Sequence, residues 1–356
     1  VDFDVGSDFC IYGGMSAPIE FGAGESWEEA RTIAGLIGDV PNSFSTCIRF
    51  LRTDYEQNGG ALSRGTRFYL SRLLKSASVS APLYFAAMTY RPEQFQAQGG
   101  DSAAIMSVFA PDELATLLSL VYLFRTIKKG CDPEEWRFIE EAIILQTDIC
   151  GIMGDVIPAI GLSNATLVGA IRLLSQALFL GVKKKEFTNY RRALKKSGAL
   201  ADYAEEIKTW GCTHAQVASI LVQPVGLGRT LSEQLSMGLL PVPQSNEPKE
   251  SVGMRVVSQW LQAILTTGKE PQIAHRVEYY PHAKDIEDFL VRANSIRQVG
   301  SRYKWITQGK ESLTPETAPT MFRTPARASP AAAAPEEAPP PDAPGISDAD
   351  LAKLED

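Results

Sequence analysis

Apolar residues recur three and four positions apart along most of this chain and seldom alternate, so the pattern predicts helix after helix. Ser26 reads as an N-cap with Glu28 and Glu29 in the first turn, opening a helix through Ile33, Leu36 and Ile37 that stops near Gly38. Pro41 opens a second, carrying Phe44, Cys47, Ile48 and Leu51, and Asn58-Gly59-Gly60 ends it. Short helices are expected at 68–74 and 82–88, then a polar loop over 92–102. Pro111, followed by Asp112 and Glu113, starts a helix that ends on Lys128-Lys129-Gly130, with anionic residues at its start and cationic ones at its end, as the macrodipole favours. Asp132-Pro133-Glu134-Glu135 starts the next, whose buried face should be Trp136, Ile139, Ile143, Ile149 or Cys150, and Met153. Ser163 is the expected cap of a helix through Leu167, Ile171, Leu174 and Leu178. Further helices are expected at 183–196, 200–210, from the Thr213 cap through Leu221, at 231–240, at 252–265 and more weakly at 286–299. Residues 1–24 are glycine-rich, and Phe9-Cys10-Ile11-Tyr12 reads equally as a strand or a loop.

Composition narrows the class. The chain has 356 residues, 44% hydrophobic and 22% charged, enough for a sizeable core. A net charge of −7 argues against general nucleic-acid binding, which wants a basic footprint. Five cysteines without C-x-x-C spacing read as reduced, buried thiols in a cytoplasmic protein. No stretch reads as a membrane span or a secretory leader. Nine of the 22 prolines fall after residue 310, beside an alanine run at 331–334, so 311–356 reads as a disordered tail. Within it, 346–354 has the pattern of one short amphipathic helix that would form on binding a partner.

Candidate chemistry is sparse. His214, next to the Thr213 cap, leads the field, although the commoner role for such a histidine is a structural bond to a backbone carbonyl. Cys212 and His214 are two apart, where helical side chains diverge, and no third orienting group is evident. Val225-Gly226-Leu227-Gly228-Arg229-Thr230 lacks the strand, the third glycine and the Lys-Ser/Thr of a phosphate cradle, and reads as a turn between helices. The basic run at 183–196, threaded by Phe187, Tyr190 and Leu194, suits a helix with one solvated face.

The order of the Trp136 helix, Gly169-Ala170-Ile171-Arg172-Leu173-Leu174, Tyr190, Glu206 and Gly211-x-x-His214-Ala215-x-Val217-Ala218 resembles the HDOD family. These are all-helical bacterial signalling modules related to HD phosphohydrolases. The likeness covers about 105–240, with a weaker echo over 26–104. It implies an all-α bundle divided into an N-terminal helical lobe (1–104), a degenerate HD-like core (105–240), a C-terminal helical extension (241–310) and the tail (311–356). The His-Asp pair that holds metal in an HD enzyme falls on Arg172-Leu173. A guanidinium and an alkyl chain cannot bind a divalent cation, so neither metal nor cofactor is expected and the chain is not expected to be an enzyme. The paired histidines usual near the end of the module fall near Met237-Gly238 and are absent.

The function so implied is signal transduction or regulation through protein–protein interaction, with the acidic, Pro-rich tail suited to tethering. The alternative is a nucleotide or cyclic-dinucleotide sensor, with Arg172, His214, Glu206 and Tyr190 around the vestigial pocket. A simpler role for Arg172 is a salt bridge to a carboxylate such as Glu206.

Overall fold

The computed structural model describes residues 25–243, 246–273, 277–282 and 284–322, and among these every regular element is helical. The N-terminal part holds α1 (Glu25–Ala34), α2 (Asn42–Gln57), α3 (Arg64–Leu73), α4 (Ala77–Tyr90), α5 (Pro92–Ala97) and α6 (Ser102–Val108). The centre is built from α7 (Pro111–Gly130), α8 (Pro133–Val156), α9 (Leu162–Val182) and α10 (Lys184–Ser197). Then follow α11 (Tyr203–Trp210), α12 (His214–Leu221), α13 (Arg229–Gly238), α14 (Lys249–Thr267) and α15 (Ile286–Val299). The all-α class expected from periodicity is what the chain adopts.

The antiparallel pair α8 and α9 is the axis of the fold. Helices α1, α7, α10, α12 and α14 pack on α9, while α4, α14 and α15 pack on α8. The predicted face of α8 (Trp136, Ile139, Ile143, Ile149, Cys150 and Met153) is buried throughout. By length and composition alone α9 could cross a membrane, a property not anticipated above. Here 83% of its most apolar stretch is buried among its neighbours, so it is the core helix of the bundle.

Two glycines let α8 and α9 approach closely. A Cβ on Gly154 would sit 2.5 Å from the Gly161 carbonyl oxygen and 2.7 Å from Ala165 Cβ. One on Gly169 would sit 2.8 Å from the Gln146 carbonyl oxygen. Alanine is the better helix former by about 1 kcal/mol, so propensity alone would make Gly154→Ala stabilising. The obstructing atom is backbone, however, and overpacking of this kind costs about 1–3 kcal/mol. Gly154→Ala is expected to lower stability by about 2 kcal/mol in urea denaturation, and a neutral or stabilising result would show that the helices separate freely.

Where local structure departs from the periodicity, the cause is a single contact or cap. The polar stretch after Tyr90 forms α5, started by Pro92 and held by Phe95, which is fully buried edge-on to Tyr84 at 5.3 Å between ring centroids. Asp101 then caps α6, its carboxylate accepting from Ala104 N at 2.9 Å. Helix α9 starts after Gly161, at φ +76, rather than at Ser163, whose hydroxyl faces that of Thr116 at 2.8 Å. Helix α1 starts at Glu25, one residue before the expected cap at Ser26.

One hydrophobic cluster runs from Ala30 to Ala318 across the described residues, and the boundary expected at 104/105 falls inside α6. Residues 311–322, assigned by composition to the tail, are packed instead: Ala318 is buried and the Thr320 hydroxyl donates to the Gly100 carbonyl. The rest of the expected tail, 323–356, and the N-terminal stretch 1–24 lie outside the described residues.

A buried polar cluster ties the C-terminal segment to the axis. Asp148 on α8 accepts from the Ser301 hydroxyl and from Tyr90 OH at 3.3 Å. Tyr90 OH in turn accepts from Trp305 Nε1 at 2.8 Å, and Lys304 N donates to Ser301 Oγ at 3.2 Å. Gly151, one turn along α8 from Asp148, leaves room for the Tyr90 ring.

Candidate functional site

The four singled-out residues do meet. They converge where α9, α10, α11 and the start of α12 cross. Asp202 caps α11, its carboxylate accepting from Glu205 N at 3.0 Å, and sets Glu206 one residue further on. Gly211 ends that helix in the left-handed region at φ +75, where its missing Cβ matters. Thr213 then caps α12 in the predicted way: its hydroxyl accepts from Gln216 N at 3.2 Å while Gln216 Oε1 accepts from Thr213 N at 2.8 Å. This short turn folds His214 back onto a carboxylate eight residues earlier.

Glu206 is fully buried and its lone pairs are well used. Oε2 accepts from the His214 backbone N–H at 2.8 Å, one of the donors a helix start leaves unpaired. His214 Nδ1 lies 2.9 and 2.8 Å from the two carboxylate oxygens. Tyr190 OH donates to Oε1, and itself accepts from Asp202 N at 3.1 Å. Gln176 Nε2 stands 3.4 Å from both Glu206 Oε1 and Tyr190 OH. Burial alone would push the Glu206 acid up, but the charge and ring nitrogen of His214, the Tyr190 hydroxyl and the His214 backbone N–H outweigh it and hold the carboxyl below its ordinary range. Burial, then the Glu206 charge, drives the Tyr190 phenol far above its usual value.

Arg172 does not pair with Glu206, contrary to the simpler role expected for it. Its Nη1 donates to the Leu200 carbonyl at 2.6 Å and its Nη2 to Gln146 Oε1. The side chain is buried, and that burial lowers the guanidinium below its ordinary value, with the nearby Tyr203, Tyr190, Cys150 and Glu206 opposing. The structural role expected for His214, a bond to a backbone carbonyl, is filled by a carboxylate. Its ring also leans on Tyr203, 5.1 Å between centroids. Under the site Trp210 stacks on Phe179 at 4.6 Å and meets Tyr190 edge-on at 5.4 Å.

Sequence reasoning missed Gln146, Gln176, the Leu200 carbonyl and Asp202. Gln176 had a signal, lying four residues after Arg172 on the same face of α9. Gln146 and Leu200 had none, since only the tertiary crossing brings them in.

The arrangement offers little to a metal. Among the described residues no three His, Cys, Asp or Glu side chains gather closely enough to hold one. The Cys212 thiol is pushed up to about 12 by burial and by the Glu206 and Glu29 charges, which leaves it protonated beside His214. Two surface cavities, of about 650 and 490 Å³, lie elsewhere and are lined by none of these residues. Within the 225–230 stretch, residues 225–228 lie in the turn between α12 and α13, with Gly226 at φ +101 packed on the Ser45 carbonyl, and Arg229-Thr230 open α13. The α10 helix buries Phe187 and Tyr190 and exposes most of its lysines; Lys184 pairs with Asp132 at 2.8 Å. No known protein family, curated protein or solved structure matches this chain.

Proposed function

We propose that the chain is an HDOD-like, non-enzymatic regulatory module of bacterial signal transduction that acts in the cytoplasm through protein–protein interaction. One observation supports this reading above the others. The residues that the HDOD likeness would place at an HD active site are engaged inside the core, His214 Nδ1 with Glu206, both fully buried, and the Arg172 Nη atoms with Leu200 and Gln146. A group that holds the fold in this way is not free to bind a metal, to activate a water or to receive a substrate.

A thermal-shift panel of divalent metals, nucleotides and cyclic dinucleotides tests the reading. A ligand at 100 times its Kd adds about 2.7 kcal/mol, several degrees in Tm for a chain of this size. No compound is expected to shift the wild type by more than about 1 °C. A metal shift with stoichiometric retention would overturn the non-enzymatic reading.

A second reading, a nucleotide or cyclic-dinucleotide sensor, is favoured by one detail. Arg172 Nε and His214 Nε2 are buried without hydrogen-bond partners among the described residues, so each keeps a polar atom for something else. A nucleotide-induced shift that disappears in Arg172→Ala would select this reading.

A further inference from the structure

We propose that the groove between α3, α4 and the 310–322 segment is a docking site for this chain's own residues 346–354. The groove, about 650 Å³, is lined by Leu74, Ala77, Leu313, Met321 and Phe322, with Lys75 and Lys310 at its polar edge. That volume is in the range of sites that take a peptide side-chain cluster or a small ligand. Phe322 stays 51% exposed although its ring borders apolar neighbours, so the groove has room and an uncovered apolar wall. Lys75 and Lys310 are exposed, and neither is paired with a carboxylate among the described residues.

The chain itself supplies a fitting occupant. It leaves the described structure at Phe322, on the groove wall, and 323–356 carries seven acidic residues against three basic ones. In helical spacing Leu351 and Leu354 fall on one face, flanked by Asp348 and Glu355. Two leucines between carboxylates complement an apolar groove between lysines. The 23 residues of 323–345 can reach at most about 80 Å, enough length to bring the segment back over the site from which the chain departs. Tethering at this length gives an effective concentration of about a millimolar, so even a weak contact is populated. A covered groove would be released by any partner that takes either surface, and the inference stands independently of the regulatory reading above.

Zero-length carbodiimide coupling of the full chain, followed by peptide mass mapping of the monomer, tests it. Lys75 or Lys310 is expected to link to Asp348, Asp350 or Glu355 with a yield about fivefold above links from the same carboxylates to the exposed Lys185 and Lys195. The paired substitution Leu351→Asp and Leu354→Asp, outside the folded body, is expected to bring that yield down to the Lys185 level. Equal yields at all four lysines, insensitivity to the leucine substitutions, or links confined to a dimer would each overturn intramolecular docking. The last outcome would assign the groove to a second copy.

Discussion

Glu206→Ala is expected to cost about 3–5 kcal/mol of folding stability, the loss typical when one partner of a buried charged pair is removed. The size follows from what the carboxylate leaves behind. His214 Nδ1, the His214 backbone N–H and the Tyr190 hydroxyl all bond to it, and both residues are buried. His214 Nδ1 and its backbone N–H would become buried groups without a partner, and the Tyr190 hydroxyl would lose its acceptor while keeping the Asp202 N–H. Glu206→Gln retains the shape and one acceptor, so it should fall between the wild type and the alanine variant. Urea denaturation at neutral pH measures both. A loss below about 1 kcal/mol for Glu206→Ala would mean that the network is incidental to the fold.

Asp148, held above its ordinary range, should give the chain a pH dependence opposite in sign to that of a carboxylate held below it, such as Glu206. Both carboxylates are buried, yet their environments differ: Glu206 has a histidine, whereas Asp148 has only the hydroxyls of Ser301 and Tyr90 and the indole of Trp305. Burial therefore wins at Asp148 and raises it from 3.8 to about 6, those three hydrogen bonds opposing. The folded chain holds this proton more tightly than the unfolded one. Stability from the protonated form is fully present below about pH 4 and is lost as pH rises through 6, by roughly 3 kcal/mol for a shift of about two units. Asp148→Asn removes the titration while keeping an acceptor for Ser301. Its stability relative to wild type should therefore rise between pH 4 and pH 7.5 by about that amount, measured by denaturant titration across the range. A constant difference across that range would place the proton elsewhere.

Much of the fold was legible because burial in a helical bundle writes itself at a period of 3.6. The α8 face, the Pro111 and Asp132 starts, the Gly130 stop and the Thr213 cap are all local signals, and each governs its own turn. Helix α5 was not legible because a single buried aromatic, Phe95, holds it, and one residue makes no period. The packed course of 311–322 was hidden for a similar reason: its anchors are Ala318 and Thr320 in a proline-bearing stretch whose composition reads as tail.

The candidate site was half legible. Motif order brought Arg172, Tyr190, Glu206 and His214 together as a set, and they do share one region of the core. What they do there depends on Gln146, Gln176 and the Leu200 carbonyl, which no spacing in the sequence links to them. The same holds for the Tyr90, Asp148, Ser301 and Trp305 cluster, whose members are up to 215 positions apart. Charge pairing cannot be read from types alone: an arginine and a glutamate in one motif set suggested each other, but the glutamate chose the nearer histidine.

Chemical accessibility of His214 tests most directly whether this site is sealed. Diethyl pyrocarbonate modifies exposed imidazoles, and His282 provides an exposed reference in the same chain. With modification followed by peptide mass spectrometry on the folded protein, His282 should react while His214, with no exposed surface, stays unmodified until the chain is unfolded by denaturant. Modification of His214 in the folded state at the rate of His282 would contradict the account, since it requires an open path to the residues around Arg172 and makes them available to a ligand.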